Sequence, residues 1–310
     1  MKHTIPVTVI LISIFFLTQI FGLFLVKEDI TSVEEINGTI VINHGDTAIG
    51  PRPETTGYQS FLYVALAVFI GTLLVLLIIK YGKANLWKMW FFLAVFLSIT
   101  ISIGVFVNVS LAFFLAFILA VLKLTKRNIL IHNLTEVLMY SGLAVLIVPL
   151  FDLAWAFMLL IAISLYDMYA VWKSKHMVKM AEFQTKNKLF AGLMIPYKPK
   201  GDIELKIPQK PAKAAKKKSS GKKKKKGPTN AILGGGDVAF PLIFAGVVME
   251  ELIRDGLSLS ASFFQASIIG VTATIAIMAL FWLSKKDKFY PAMPTVTFGC
   301  IVGYAIVLLL

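Results

Sequence analysis

Three carboxylates stand where an apolar chain has no ordinary use for charge. Of the 17 acidic residues, 14 fall in polar segments or at the ends of apolar blocks, whereas Glu136, Asp167 and Asp237 lie inside such blocks. A carboxylate near the centre of a bilayer costs about 3 kcal/mol or more, so each is a candidate for chemistry. Two carboxyl groups held together cannot both ionise; one keeps its proton and the pair titrates as a unit. The ionised member can then draw a proton from water while the protonated member polarises a carbonyl, which is general acid–base hydrolysis. The same pair would equally serve a proton or cation relay, or a structural hydrogen bond between helices. The aspartates alone leave these three readings open.

Gly234-Gly235-Gly236 directly precedes Asp237. Each glycine weakens a helix by about 1 kcal/mol relative to alanine. Loosened backbone at membrane depth is tolerated only when buried in protein or facing water. Such backbone can offer N–H and C=O groups to an extended chain, as in strand addition. Transporters also use broken helices, so the glycines do not decide the matter. Further on, Tyr290-Pro-Ala-Met-Pro-Thr-Val places two prolines three apart. This fits a helix start, where a missing N–H is harmless, and equally a rigid turn entering beside the aspartates. His132 and Glu136, four residues apart, are expected to form a structural pair, and Glu250 and Glu251 to be solvated at the end of their block.

The elements that must position these residues follow from hydropathy. The 310-residue chain is 57% hydrophobic with a mean hydropathy of +0.79. Its apolar residues form blocks of about 20, the length that crosses ~30 Å of hydrocarbon. The blocks cover residues 5–26, 61–79, 89–122, 129–148, 153–172, 231–249, 259–283 and 291–310. The 34-residue block 89–122 is too long for one span and is expected to turn near 104–110, where Gly, Asn and Ser cluster. The fold class is therefore an all-α polytopic membrane protein with nine transmembrane helices. Alternation of the kind that builds a transmembrane barrel is missing. The first block follows Lys2 but is long for a signal peptide and lacks a small-residue cleavage pattern, so it reads as a retained helix.

Charge orients the spans. With the N-terminus inside, only Lys27, Arg52 and Arg254 among the 31 basic residues fall outside, and the bias persists when the long loop is set aside. The C-terminus is then outside. The chain divides into spans one to six in 1–172, with an acidic outer loop at 27–57; a basic inner loop at 173–230; and spans seven to nine in 231–310. The outer loop carries Asn37-Gly-Thr, a weak match to a glycosylation acceptor. Of the basic residues, 18 lie between Lys173 and Lys226. The run through KAAKKKSSGKKKKKGP cannot bury a core and reads as disordered. It is expected to rest on anionic lipid headgroups, at about 1 kcal/mol per basic residue close to the surface. Nucleic acid is not expected as a partner, since no aromatic residues interleave with the lysines. The single cysteine, Cys300, excludes an internal disulfide, and four scattered histidines assemble no zinc motif, so no metal or cofactor is expected. Self-association into a homo-oligomer is allowed by the sequence and not required by it.

This topology gives depth to the aspartates. Asp167 precedes Lys173 by six residues, about 9 Å of helix, and Asp237 follows Asn230 by seven, about 10 Å. Both are measured from the inner face, so the two carboxylates are expected at matching depth on consecutive antiparallel helices.

Together the motifs resemble the presenilin and signal peptide peptidase family of intramembrane aspartyl proteases. Its Tyr-Asp is similar to Tyr166-Asp167, its Gly-x-Gly-Asp to Gly234-Gly235-Gly236-Asp237, and its Pro-Ala-Leu to Pro291-Ala292-Met293. Order and spans agree, and the resemblance covers nearly the whole chain. It implies an endopeptidase that hydrolyses peptide bonds within transmembrane segments or remnant signal peptides. Asp167 and Asp237 would be the catalytic pair, with Tyr166, Gly234, Gly235, Gly236, Pro291, Ala292 and Met293 shaping the site. Substrates would be single-span proteins or peptides. Met293 replaces a leucine of similar volume, and Gly235 stands where a larger residue is usual. The charge-derived orientation resembles presenilin rather than signal peptide peptidase, so substrates are expected to enter with their N-terminus outside. Compact loops point to a microbial, archaeal homologue. Within the family it resembles, signal peptide peptidases and their microbial relatives act alone whereas presenilins need a complex, which leaves the need for partner subunits open. The alternative is a proton-coupled transporter or ion-leak channel using the same carboxylates.

Overall fold

A computed structural model of the chain describes residues 4–53, 55, 57–126, 128–174, 190–197, 229–284 and 290–310. Among these residues there are nine α-helices and two β-hairpins. The helices are α1 (Ile5–Asp29), α2 (Tyr58–Lys80), α3 (Ala84–Gly104), α4 (Val109–Thr125), α5 (Ile129–Ile147), α6 (Leu153–Met168), α7 (Gly235–Arg254), α8 (Leu259–Leu283) and α9 (Met293–Val307). Each falls on one of the apolar blocks, and the block 89–122 divides at residues 105–108. Six helical stretches are long and apolar enough to cross a membrane, whereas α4 and α9 are apolar but shorter. In α7, Asp237, Glu250, Glu251 and Arg254 interrupt the apolar run.

Polar residues mark the helix starts. The side chains of Asn108, Asn128, Asp152 and Ser258 accept from the backbone amides of Leu111, Leu130, Trp155 and Ala261 at 3.0, 2.8, 3.0 and 3.3 Å. Each satisfies an amide that the helix itself leaves unpaired. Large apolar side chains such as Leu66 and Phe69 on α2, Phe114 on α4 and Phe264 on α8 point outward, as expected where hydrocarbon is the solvent.

Helix α7 is the centre of the molecule. It contacts α1, α5, α6, α8 and α9, and its residues Val238–Ala239 and Pro241–Glu250 are buried. A three-ring cluster ties it to two of its neighbours. The Phe157 centroid on α6 lies 4.7 Å from Phe244 on α7 and 5.2 Å from Tyr304 on α9. Edge-on rings of this kind fix how the three helices are rotated against each other. Between α8 and α9 the approach is close. A Cβ on Gly299 would lie 2.9 Å from the Thr272 carbonyl oxygen, and one on Gly303 would lie 2.8 Å from the Ile269 Cα. Two glycines four apart let the helices touch backbone to backbone.

Two hairpins depart from the all-α expectation. Strands β1 (Ile30–Ile36) and β2 (Thr39–His44) pair antiparallel through a tight turn at Asn37 and Gly38, whose φ values are 52° and 77°. Strands β3 (Gly192–Tyr197) and β4 (Thr229–Gly234) pair with Gly192 opposite Gly234 and Tyr197 opposite Thr229. The seventh helix therefore starts at Gly235 and not at 231, because residues 229–234 are committed to β3. Glu250 also differs from its expectation. It is buried, with its carboxylate 2.9 Å from Arg254 Nη2 and 3.3 Å from His44 Nε2. The lysine-rich run and its lipid contact lie outside the described residues.

Candidate active site

Asp167 lies on the last turn of α6, just before the backbone widens into a π-helical segment at Tyr169–Ser174. Its side chain is buried, and Oδ2 accepts the backbone amide of Met293 at 3.2 Å, with the Ala292 amide also facing it. One turn earlier, Ser164 and Thr297 share a hydrogen bond of 2.7 Å between α6 and α9. Ala292 and Met293 are thus held against Asp167 by backbone groups. The Met293 amide makes this contact while its side chain is buried in the core.

Asp237 is the third residue of α7. From this position its carboxylate reaches back to the Gly234 backbone amide, and it also lies where the helix dipole favours negative charge. Pro241, four residues on, has no N–H to bond the Asp237 carbonyl. The next carbonyl, Val238, accepts Gln19 Nε2 from α1 at 2.9 Å. Asp237 therefore sits at a helix entrance and not in mid-span.

The two carboxyl groups are close enough for the charge on Asp167 to act on Asp237. The geometry brings Asp167, Asp237, the glycines and residues 291–293 to one place. Tyr166 is part of α6 beside Asp167 but is 41% exposed. Gly234 and Gly235 are confined on their Cα faces. A Cβ on Gly234 would lie 3.0 Å from Asp237 Oδ2, and one on Gly235 would lie 2.6 Å from the Tyr140 hydroxyl.

Several contributors had no distinguishing sequence signal. Tyr140 and Gln19 look like ordinary residues of apolar helices, and β3 is a short stretch inside the basic loop 173–230. His132 also differs from expectation. Its Nε2 is 3.9 Å from Glu136 but 2.9 Å from the Gly192 carbonyl, so it serves the hairpin. Among the described residues no cluster could hold a metal ion.

A model of the signal-peptide peptidase, presenilin aspartyl protease family matches residues 12–310. The chain belongs to this family. Two solved structures of a presenilin family intramembrane aspartate protease, in C222 and P2 crystals, are similar in fold. The first has a TM-score of 0.56 at 13% identity, covering 96% of this chain and 94% of that one. The second has a TM-score of 0.59 at 14% identity, covering 96% of each. No curated protein matches the chain. As a member of the presenilin and signal-peptide peptidase family, the protein is an intramembrane aspartic protease of the multi-pass, cell-membrane kind. Membership favours hydrolysis over the transporter reading of the same carboxylates.

Proposed function

We propose that Asp167 and Asp237 are the catalytic pair and that they cleave a peptide bond of a membrane-embedded substrate presented as a strand. The observation that carries this is the placement of Asp237 beside Asp167 at the start of α7, directly after β4. The ionised carboxylate takes a proton from water, whose oxygen attacks the scissile carbonyl carbon. The protonated partner gives its proton to the carbonyl oxygen. Return of a proton to the amide nitrogen then lets the C–N bond break.

The hairpin supports the strand reading. In β3, the backbone groups of Gly192 and Met194 turn to α5, where His132, Asn133 and Glu136 bind them. By antiparallel alternation their partners direct backbone groups to the far edge of β4, where Ile232 presents N–H and C=O while the Gly234 N–H is taken by the Asp237 carboxylate. A substrate strand added there would run toward Asp237.

In the same reading the nine helices are nine spans, with 1–172 and 231–310 as membrane blocks around the inner loop 173–230. The N-terminus lies inside and the C-terminus outside. Substrates are single-span segments entering with their N-terminus outside, and anionic headgroups meet the basic loop.

Purified chain in detergent should cleave a reporter span, and a transition-state-mimicking inhibitor should block it. Asp167→Ala and Asp237→Ala should each reduce cleavage to background. Cleavage above background in both variants overturns the assignment, as does ion flux in liposomes without proteolysis.

A further inference from the structure

Behind the hairpin lies a charged cluster that the aspartate chemistry leaves unused. Glu136 on α5 is fully buried. Its Oε1 accepts Lys123 Nζ from α4 at 2.6 Å, and its Oε2 accepts both the Tyr140 hydroxyl and the Gly192 backbone amide, the latter at 2.9 Å. Thr135 Oγ1 takes a second Lys123 hydrogen at 3.0 Å. A buried ion pair is a poor way to hold helices together, since apolar side chains of similar volume do so at least as well. Its placement indicates another task.

Two arms run from Glu136 to the start of α7. One passes through Gly192, which stands opposite Gly234 in the β3–β4 register. The other passes through Tyr140, whose hydroxyl fills the space beside the Gly235 Cα. Asn133 holds the hairpin two residues further on, at the Met194–Ile232 pair. Its Nδ2 donates to the Met194 carbonyl at 3.0 Å and its Oδ1 accepts the Met194 amide at 3.1 Å. One face of α5 thus grips β3, the strand paired with the backbone that leads into Asp237.

We propose that Glu136 and Tyr140 are positioning residues for Asp237, and that residue 235 is glycine because the Tyr140 hydroxyl occupies the space its side chain would need. The inference rests on Asp237 being catalytic. Glu136 fixes the height of the hairpin through Gly192, and Tyr140 fixes the lateral position of the α7 entrance. Lys123 neutralises Glu136 and leaves Oε2 free to accept both donors.

The test uses the full chain in detergent with a reporter span. A misplacement of about 1 Å at a reacting group costs on the order of a hundredfold in rate. Gly235→Ala should therefore lower kcat by about that factor with KM little changed. Tyr140→Phe removes the clashing oxygen, so the Tyr140→Phe/Gly235→Ala double variant should cleave several-fold faster than Gly235→Ala alone. A role in general stability would give the opposite, additive result. Backbone hydrogen exchange supplies a readout that needs no activity. In Lys123→Met/Glu136→Leu, which removes the acceptor of Gly192 and Tyr140 without stranding a charge, exchange should rise about tenfold in segments 192–197 and 229–238, while α8 keeps its protection. Unchanged exchange there, an equal rise throughout, or a double variant no faster than Gly235→Ala overturns the proposal. Failure of the catalytic reading shows separately, as cleavage that survives Asp237→Ala.

Discussion

Gly236 differs from the two glycines before it in what surrounds it. Side chains at 234 and 235 would meet Asp237 and Tyr140, but a Cβ at 236 meets only the Phe240 ring at 3.5 Å, an ordinary contact, and the residue is exposed. A larger residue there would stand on the open side of the Asp237 turn, where a substrate backbone would have to approach. Gly236→Val is thus expected to cut cleavage at least tenfold while shifting stability by no more than about 0.5 kcal/mol, the range for an exposed substitution. Parallel kcat/KM and thermal-midpoint measurements in detergent check this; equal loss of both would show a folding defect. At this scale the sequence was most informative where a residue was out of place. Charge in hydrocarbon exposed Asp167 and Asp237, and three glycines marked the backbone between strand and helix. Tyr140 escaped notice because a tyrosine in an apolar helix needs no explanation until the space beside Gly235 is seen.

Among the elements, α4, α5 and β3 meet at the Lys123–Glu136 pair, with both side chains nearly inaccessible. Removing one partner of a buried pair leaves an uncompensated charge and costs about 3–5 kcal/mol. Lys123→Met is expected to destabilise the protein by that order in mixed-micelle unfolding. Adding Glu136→Gln should recover most of the loss, because the amide oxygen still accepts Gly192 without carrying charge. A double variant as unstable as Lys123→Met would refute the charge argument. The α8–α9 contact makes a second prediction. Gly303→Leu forces a side chain into the Ile269 backbone, and overpacking typically costs about 1–3 kcal/mol. Because α9 begins at Met293, whose amide holds Asp167, cleavage should fall along with stability. A stability loss with unchanged kcat would uncouple the two. Helix positions were legible because uninterrupted apolar runs have one solution in a bilayer. The hairpins were not. In β1–β2 the Asn37-Gly38 turn is a strong hairpin signal, but it was overshadowed by the acidic character of its loop. In β3–β4 the pairing partners are separated by the lysine-rich run, so no local pattern joins them.

For the whole molecule, sequence arithmetic placed the two aspartates at equal depth by counting helical rise from the inner face. The path to Asp237 is in fact strand through Gly234, so the count did not describe the geometry. The aspartates meet because α6 and α7 pack side by side through Phe157 and Phe244 and because β4 delivers the α7 entrance. The far end of the bundle is closed by a second polar cluster. Arg52 Nη2 lies 2.6 Å from Asp29 Oδ2 at the end of α1 and donates to the Val145 carbonyl of α5 at 3.1 Å. His44 on β2 sits between Asp29 at 3.0 Å and Glu250 of α7 at 3.3 Å. This joins the end of α1, the β1–β2 hairpin, α5 and α7. Burial alone would lower the His44 pKa, but the carboxylates of Asp29 and Glu250 outweigh it and raise it from 6.5 to about 9. The stabilisation is complete below pH 6.5, where the imidazolium forms in folded and unfolded chains alike, and it is lost as pH rises through about 9. The full shift corresponds to at most about 3.5 kcal/mol, at ~1.4 kcal/mol per pH unit. Thermal midpoints in detergent should therefore decline between pH 6.5 and 9, and His44→Gln should start lower and flatten that decline. An identical slope in the variant would assign the titration to another group and leave His44 a neutral hydrogen-bonding residue between α1 and α7.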